Sequence, residues 1–468
     1  MTGFAPLFSA AEIRTVETDA VRLLAEVGLQ CDHAATLERL RAAGAKVAGG
    51  RVLLDAGRVE GFFADRKHRL AADLRAAEAR PGSGDFTMGG QWNCLELCDP
   101  ATNLPKPATT SEAVSMARLS EALGAKGGPI PVAPSDVDPA VRTLVCERIA
   151  LTHTAGLGSW LTATDPIVLA ALTDMYDVAG RRYTVGLEGL ISPLKLNGRV
   201  LDLYFELADN PRLDIGIMGG IPVLGTTAPF SFPAAMSLAL AEAIALDFVM
   251  STLSQGCHTV FNLRLDAFDM RHSNLLFGSP EWCLMSQAVR EVHEGIFGFA
   301  GSGGCFRSNG KRVDAQTLLE RSNSFLWQVM LGSRRFGSVG QTCLDEVYSP
   351  VLAVLDGELL RYGKRLAGGL PPSLRDGDCD VVELVREGLE DGFLATDLTA
   401  ERFREFQDLE RLATAESLGS WRAGGQVGLE ERAAARATEL IAGHTFALAP
   451  DQTREIESIC QRTCRVLN

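Results

Sequence analysis

The feature that most constrains the fold is the regular alternation, from about residue 111 onward, of short apolar segments with longer helical ones. The short segments lie roughly 30 residues apart at first and roughly 37 to 57 residues apart later, so each interval has room for one crossover helix. We predict strands centred near Ile130, Ser159, Leu187, Ile217, Phe261, Ala300, Gly337 and Leu394. Eight such units predict an α/β fold of the (β/α)8 TIM-barrel type. An open doubly wound sheet gives a similar pattern, but no G-x-G-x-x-G motif follows the first strand.

Helical segments flank the predicted barrel on both sides. Ser9 and Glu12 have the spacing of a capping box, and the apolar helical pattern that follows them ends at Gly28. We predict a mostly helical N-terminal extension with hairpins over residues 1–110, a barrel over residues 111–400 and a C-terminal helical cap over residues 401–468.

Charge and composition exclude several classes of protein. The formal net charge of −14 repels a phosphate backbone, so we expect no nucleic-acid partner. The N-terminus has neither a basic region nor an apolar region of the signal-peptide type, and residues 233–253 carry Glu242 and Asp247 inside their apolar run. We therefore expect a cytoplasmic protein without a membrane span. The eleven cysteines form no C-x-x-C pair, which favours reduced thiols and predicts no metal bound directly by the chain.

Polar and glycine-rich segments follow the predicted strands, at residues 133–138, 162–165, 188–190, 219–229, 266–269, 301–309 and 340–341. In a barrel all of these segments meet at one face, where active sites form. This convergence predicts an enzyme. Within it, Asp165 followed by Pro166 is typical of a helix N-terminus, because aspartate is a favoured cap and proline suits the first helical position.

Several segments together resemble a known family. They are residues 225–242, 278–281 and 301–316, the N-terminal residues 12–60, and the later residues 355–358 and 392–404. In order and spacing they are similar to the trimethylamine methyltransferase (MttB-type) family over nearly the whole chain. The resemblance implies a TIM barrel that transfers a methyl group from a methylated amine to the Co(I) corrinoid of a small partner protein.

The chain contains only the twenty standard residues and therefore no pyrrolysine, which the trimethylamine enzymes of the family carry. It accordingly resembles the non-pyrrolysine branch, whose substrates include glycine betaine and related quaternary amines. One departure concerns strand 8, where many relatives have two histidines and this chain has Thr396 and Leu398. The resemblance implies a corrinoid carried by a partner protein as the cofactor, and we also expect a homo-oligomer.

A quaternary ammonium substrate calls for aromatic faces and a carboxylate near the cation. The aromatic candidates are Trp160, Phe230, Phe232, Phe306 and Phe336. Each of them is alternatively an ordinary packing residue between barrel and helix. Glu188 ends the third predicted strand and is the candidate catalytic carboxylate, with a structural ion pair as its alternative.

The strand-6 loop supplies further candidates. Arg307 would bind a substrate carboxylate in a bidentate manner, contact the corrinoid partner, or lie at the surface. The candidate corrinoid-facing residues are Gly219, Gly220, Gly303, Gly304, Asn309, Asp314 and Gln316. The glycines would let a planar corrin approach the backbone, or would serve tight turns with positive φ. For Asp314 and Gln316, hydrogen bonding to the loop backbone is favoured over substrate contact.

Two other functions remain open from the residues alone. The first is a lyase or hydrolase that uses Glu188 and Asp269 as acid and base. The second is a non-catalytic barrel that binds a small osmolyte or a corrinoid protein. Turnover without a corrinoid distinguishes the first from methyl transfer, and saturable binding without transfer distinguishes the second.

Overall fold

The computed structural model describes residues 5–78, 85–90, 92–160, 163–253, 258–259, 261, 263–299, 301, 303–375, 377 and 380–467. The fold is mixed α/β, with 54% of the described residues helical and several small sheets. The strands of the described part are β1 (Leu29–Gln30), β2 (Lys46–Ala48), β3 (Arg51–Leu53), β4 (Thr87–Met88), β5 (Glu96–Cys98), β6 (Pro105–Pro107), β7 (Tyr183–Glu188), β8 (Leu190–Ile191), β9 (Lys195–Leu196), β10 (Leu213–Met218), β11 (Val223–Leu224), β12 (His258–Thr259), β13 (Asp266–Asp269), β14 (Asn274–Leu276), β15 (Gly303–Cys305), β16 (Arg335–Gly337), β17 (Gln341–Thr342) and β18 (Val347–Tyr348).

Helices connect and cover these strands. They are α1 (Ala10–Arg22), α2 (Ala34–Ala42), α3 (Ala56–Glu78), α4 (Thr110–Ala122), α5 (Pro139–His153), α6 (Pro166–Val178), α7 (Gly198–Leu207), α8 (Phe232–Leu253), α9 (Pro280–Phe297), α10 (Ala315–Met330), α11 (Pro350–Gly368), α12 (Val381–Asp391), α13 (Asp397–Phe406), α14 (Leu418–Ala423), α15 (Leu429–Ala442) and α16 (Pro450–Leu467). A π-helical turn (Leu23–Val27) extends α1 to Gly28, and single 3-10 turns occur at Pro372–Leu374 and Phe393–Ala395.

Parallel pairing places eight chain segments side by side. β12, β10 and β7 form one parallel sheet, and β15, β16 and β4 form another. Backbone contacts bridge the two sheets through two irregular segments, 126–128 and 156–160. Gly89 pairs with Lys126, the Gly158 N–H donates to the Gly128 carbonyl over 2.8 Å, and the Trp160 N–H donates to the Thr184 carbonyl over 2.9 Å. One helix, α4 to α10 in turn, separates each segment from the next along the chain.

The predicted strands at Leu187, Ile217 and Gly337 are confirmed as β7, β10 and β16. Ser159 lies in the segment that pairs with β7, and Phe261 directly follows the short strand β12. Near Ile130 the structure has two isolated parallel bridges, from Cys94 to Val132 and from Ala108 to Pro134, and no strand. The predicted strand centre at Ala300 lies outside the described residues.

The predicted strand at Leu394 is wrong. Leu394 lies in a 3-10 turn and is 90% exposed. Gly392 precedes the turn with φ of 84°, and Thr396 follows it and caps α13 by accepting a hydrogen bond from the Thr399 N–H. The turn that begins at Gly392 and the helix cap at Thr396 are only four residues apart, so no strand can form between them. The eighth parallel segment is instead β4, which lies within the predicted N-terminal extension.

The flanking helices agree with the sequence patterns. The predicted capping box of Ser9 and Glu12 is confirmed at the start of α1, and Gly28 ends the helical stretch with φ of 69°. α1 packs against α8, while α15 and α16 pack against α4, α5, α6 and α11. Asp165 caps α6 as predicted, because its carboxylate accepts hydrogen bonds from the Ile167 and Val168 N–H groups.

The most apolar helix is part of the protein core. Among the described residues, α8 is the one helix long and apolar enough to cross a membrane, and 72% of its most apolar window is buried within the protein. Glu242 on this helix accepts hydrogen bonds from the Ser192 hydroxyl over 2.5 Å and from the Leu194 N–H over 2.8 Å. An apolar helix that is mostly buried within the protein belongs to the core and does not need lipid to cover it.

A buried ion pair joins α10 and α11 behind the end of β16. Arg321 is 0% exposed, and its Nε lies 2.9 Å from Asp356 Oδ1 while its other donors reach Asp356 and the Gln341 carbonyl. The Gly340 N–H also donates to Asp356 over 2.7 Å. This one carboxylate therefore connects two helices and the loop that follows the strand.

We expect Asp356→Ala to lower the unfolding free energy by about 3–5 kcal/mol, because it leaves a buried guanidinium without its counter-ion. Urea denaturation measures the effect. Glu439→Ala is the control: it breaks the exposed Arg436–Glu439 pair and should change stability by less than about 0.5 kcal/mol. Equal effects of the two substitutions would show that the buried pair does not stabilise the fold.

Candidate active site

One face of the paired strands β7 and β10 carries the first set of candidate residues. Tyr183 on β7 contacts Tyr176 of α6 with ring centroids 5.1 Å apart, so this strand directs its odd-numbered residues toward the helices. Glu188 lies on the opposite face and is exposed. Its register partner on β10 is Met218. The Glu188 carboxylate makes neither a hydrogen bond nor an ion pair with a described residue, so the structural ion pair weighed from the sequence is absent there.

The indole of Trp160 lies on this same face. A methyl group added to Gly216 would lie 2.5 Å from the indole ring, and one added to Gly186 would lie 2.9 Å from it. The two glycines are register partners on β10 and β7. Because Gly186 is two residues before Glu188, the structure brings Trp160 and Glu188 to one face of one sheet.

A buried carboxylate supports the chain just before Trp160. Glu147 of α5 is 1% exposed, and its Oε2 accepts hydrogen bonds from the Ser159 N–H over 2.9 Å and from the Tyr176 hydroxyl over 2.5 Å. Its other oxygen has no hydrogen-bond partner among the described residues. Burial raises the pKa of Glu147, although the hydrogen bonds from Tyr176 and Ser159 and the charge of Arg181 oppose this shift.

A second cluster of charged residues follows the ends of β12 and β15. Arg307 is 9% exposed and forms a 3.0 Å ion pair with Asp345, so a surface position for this arginine is excluded. Its guanidinium also lies 4.5 Å from the ring centroid of Phe277. Burial raises the pKa of both Asp345 and Asp266, and the charge of Arg307 opposes the shift in both.

Arg264 belongs to this cluster but differs from Arg307 in its contacts. It makes neither a hydrogen bond nor an ion pair with a described residue. Burial and the like charge of Arg307 lower the pKa of its guanidinium. Arg264 lines a cavity of about 400 Å³ together with Arg307, Cys305 and Asp266, and it also lines a small void of about 10 Å³ beside Gly219 and Gly220. An unpaired guanidinium next to a cavity is suited to bind an anionic group.

A larger cavity of about 1120 Å³ lies elsewhere, near Thr87 and Arg335, the residues at which β4 and β16 begin. In sheets of parallel strands, ligands bind beyond the carboxyl ends of the strands rather than at their beginnings. We therefore take the smaller cavity, beside Arg264, as part of the candidate site, even though it has less volume.

Comparison with known proteins now adds to this geometry. The family model described as "Trimethylamine methyltransferase (MTTB)" matches residues 2–464. The chain belongs to the trimethylamine methyltransferase (MTTB) family. It is 25% identical over 328 residues to the glycine betaine methyltransferase of Desulfitobacterium hafniense (strain Y51), a match that covers 66% of each chain. It is 22% identical over 254 residues to the trimethylamine methyltransferase MttB of Methanosarcina thermophila, which covers 54% of this chain and 51% of the relative. The matches thus span between half and two thirds of the relatives' length.

The aromatic candidates of this MTTB family member separate into two groups. Phe306 and Phe336 are 0% exposed, and their ring centroids lie 5.3 Å from each other and 5.3 Å and 4.7 Å from that of Phe325 on α10. This is the packing alternative weighed from the sequence. Phe230 is 75% exposed in the loop before α8, and Phe232 is half-buried at the start of that helix.

The candidate glycines are not in tight turns with positive φ, because Gly219, Gly220, Gly303 and Gly304 all have ordinary backbone conformations. Gly220 and Gly304 are instead packed closely against their own chain: an added methyl would lie 2.8 Å from the Leu190 carbonyl in the first case and 2.8 Å from the Phe336 ring in the second. At Gly303 the same position meets nothing within 4 Å.

The polar candidates of the strand-6 loop bond mainly to the chain itself. Asp314 caps α10 by accepting a hydrogen bond from the Thr317 N–H over 3.0 Å, which confirms the preference for a backbone contact. Asn309 donates to the Leu275 carbonyl over 2.7 Å and accepts from the Phe277 N–H. The Gln316 side chain donates to Glu320 over 2.8 Å, and Glu320 in turn accepts hydrogen bonds from the Asn309 and Gly310 N–H groups of the loop.

The paired carboxylates of the alternative lyase or hydrolase are not in contact in the structure. Asp269 is held in the β13–β14 hairpin, where its carboxylate lies 2.6 Å from His272 Nδ1 and accepts from the Arg271 N–H over 2.7 Å. Glu188 lies on β7, in a different sheet. This arrangement does not favour acid–base catalysis by these two groups.

Sequence reasoning did not find Arg264, Asp345 or Glu147. Arg264 lies only three residues beyond the predicted strand centre at Phe261, and this position at a strand end was the available signal. Glu147 lies in an ordinary helical pattern, and Asp345 lies distant in sequence from Arg307. For these two residues the sequence carries no local signal, because only tertiary packing brings their partners together.

We expect Phe306→Ala and Phe336→Ala to destabilise this family member by about 3–5 kcal/mol each, because both remove fully buried rings. Phe230→Ala should change stability by less than about 0.5 kcal/mol, because its ring is exposed. Thermal and urea denaturation measure the difference. Small losses for the two buried rings would mean that they do not pack as described.

A separate prediction concerns pH. Because burial raises the pKa of Glu147, the folded protein retains this proton at pH values where the unfolded chain has released it. The unfolding free energy should therefore fall as pH rises from the ordinary glutamate range toward the raised pKa. In Glu147→Gln this contribution is absent, so the stability of wild type relative to Glu147→Gln should decrease as pH rises above the ordinary glutamate range. Parallel stability curves would contradict the expectation.

Proposed function

We propose that this protein moves a methyl group from a quaternary amine that carries a carboxylate, such as glycine betaine, to the Co(I) corrinoid of a partner protein. The observation that carries the proposal is the arrangement of Trp160 and Glu188 on one face of β7 and β10, with Arg264, which pairs with no described residue, following β12. An indole and a carboxylate suit an ammonium group, and a guanidinium suits a carboxylate.

We infer that the eight parallel segments close into a TIM barrel. Seven of the eight neighbour contacts are supported by the backbone pairings from β15 through β16, β4 and β7 to β12. The remaining step joins β12 to β15, and the helix after the eighth segment is α11. On this basis the barrel extends from β4 through α11, the residues before β4 form the N-terminal extension, and α12 to α16 form the C-terminal cap.

The relatives support the substrate class in different ways. Their names give glycine betaine and trimethylamine as substrates. A cationic site alone does not separate these amines, but Arg264 favours the one that has a carboxylate. The absence of pyrrolysine from the chain points the same way, because the resemblance assigns pyrrolysine to the trimethylamine enzymes.

When its carrier protein docks, the corrinoid would supply the nucleophile. We propose no metal ligand from this chain, since a corrinoid carried by a partner brings its own metal.

The chain's own residues then have three tasks. Trp160 and Glu188 hold the ammonium group, Arg264 holds the carboxylate, and the walls of the cavity exclude water. The departing nitrogen already carries the positive charge and leaves as a neutral tertiary amine. No proton donor is therefore needed, and an exposed Glu188 serves as an electrostatic partner rather than as an acid. A cytoplasmic location and a homo-oligomer remain predictions from the sequence.

The direct test mixes the purified protein with a reduced corrinoid protein and a methylated amine, and follows the cobalt spectrum. We expect methylation with glycine betaine and little with trimethylamine. Spectra that stay at Co(I) with every methylated amine would overturn the proposal. Turnover of the amine without any corrinoid would instead favour a lyase or hydrolase.

We expect Arg264→Met to lower kcat/KM for glycine betaine roughly 10- to 100-fold, because a charge-assisted hydrogen bond contributes about 1.5–3 kcal/mol. Choline, which has the same ammonium head without a carboxylate, should lose no more than about twofold in binding, because it makes no contact that the substitution removes. Arg436→Met, an exposed arginine outside the site, is the control. Equal losses for both ligands would assign Arg264 a structural role.

A further inference from the structure

Three consecutive residues in the segment that pairs with β7 have positive φ angles. The φ angles are 106° at Gly158, 71° at Ser159 and 70° at Trp160. Such angles are unfavourable for residues with a side chain, and two of these three residues have one. A strained segment of this kind persists only when its surroundings determine it, and such segments concentrate at functional sites.

Hydrogen bonds fix this segment from two sides. On the strand side, the Trp160 N–H donates to the Thr184 carbonyl over 2.9 Å, and the Thr184 N–H donates to Ser159 Oγ over 3.0 Å. On the helix side, Glu147 accepts from the Ser159 N–H and from the Tyr176 hydroxyl. Glu147 is therefore the residue through which α5 and α6 hold the strained segment against β7.

Two glycines form the surface against which the Trp160 indole packs. Gly186 and Gly216 lack side chains where the Trp160 ring lies, and a methyl group at either position would approach the ring to within 3 Å. The indole is thus seated directly on the backbone of β7 and β10. Its depth sets how much space remains in front of the ring, on the face that also carries Glu188.

We propose that Glu147 is a positioning residue that sets the depth of the Trp160 indole and thereby selects the size of the ammonium head that the site admits. This inference rests on the proposed function, in which Trp160 contacts the cation. With the indole held down on the two glycines, a head with methyl groups lies against the ring. A head with longer alkyl groups does not fit the same contact, because the ring cannot shift to accommodate it.

The test measures binding of tetramethylammonium and tetraethylammonium to the full-length protein by calorimetry, with Tm recorded for each variant. Wild type should bind tetramethylammonium more tightly. Glu147→Leu should weaken this binding roughly 10-fold and bring the ratio of the two dissociation constants close to one. Glu147→Gln should keep the wild-type ratio, because its amide oxygen still accepts both hydrogen bonds.

Glu121→Leu is the matched control. It removes a carboxylate that accepts the Ala155 N–H over 3.0 Å in the same loop, upstream of the strained segment, and should leave the ratio unchanged. If Glu147→Leu does not fold, two other variants keep the test decisive. Tyr176→Phe removes one of the two hydrogen bonds to Glu147 and should reduce the ratio. Gly216→Ala pushes the indole away from the sheet and narrows the space in front of it, so it should weaken binding of tetraethylammonium more than binding of tetramethylammonium.

The outcomes separate this inference from the proposed function. If wild type binds neither cation, or if Trp160→Leu binds them as wild type does, the cation site itself is wrong. If Trp160→Leu abolishes binding while Glu147→Leu, Tyr176→Phe and Gly216→Ala keep both the affinity and the ratio within twofold, the cation site stands and the positioning role of Glu147 is overturned. A fall in Tm without a change in the ratio likewise assigns Glu147 to stability alone.

Discussion

Backbone pairing between parallel segments is the constraint on which the rest of the structure depends. Parallel strands cannot be joined by a tight turn, so each pairing requires a crossover, and here each crossover is a helix. The same geometry places the carboxyl ends of the segments at one edge. Glu188 at the end of β7 and Arg264 beyond β12 therefore both follow carboxyl ends of one parallel sheet, although 76 residues of chain separate them.

The periodic pattern predicted β7, β10 and β16 correctly because long crossover helices leave a clear signal between parallel strands. It failed at the two ends of the series, for physical reasons that differ. Leu394 lies in an apolar triplet, but Gly392 and Thr396 confine it to a single turn. The true eighth segment, β4, is only two residues long and is followed by glycines, so neither its length nor its composition distinguishes it from a loop.

The candidate site was predictable in position but not in detail. Strand ends identified Glu188 and the strand-6 loop, yet Phe306 and Arg307 are neighbours with opposite surroundings. Phe306 packs under α10, whereas Arg307 lines the cavity, because successive residues of an extended segment point to opposite faces. Which alternate residues of such a segment face the cavity can be predicted from the sequence only when the register of the segment is known. The partner of Arg307, Asp345, comes from a separate loop, and no local pattern connects them.

The acidic groups in and beside the cavity do not form an ion pair with Arg264. Arg264, Arg290, Arg307 and Asp266 line this cavity, and a second aspartate, Asp345, lies beside Arg307. Asp345 is paired with Arg307, while the pKa of Asp266 is raised by burial, which weakens its hold on a cation. Arg264 is half-buried and pairs with no described residue, so a bound carboxylate would reduce the cost of its partial desolvation. A zwitterionic substrate would therefore gain at both of its ends, with the carboxylate fixing the direction in which the ammonium group points.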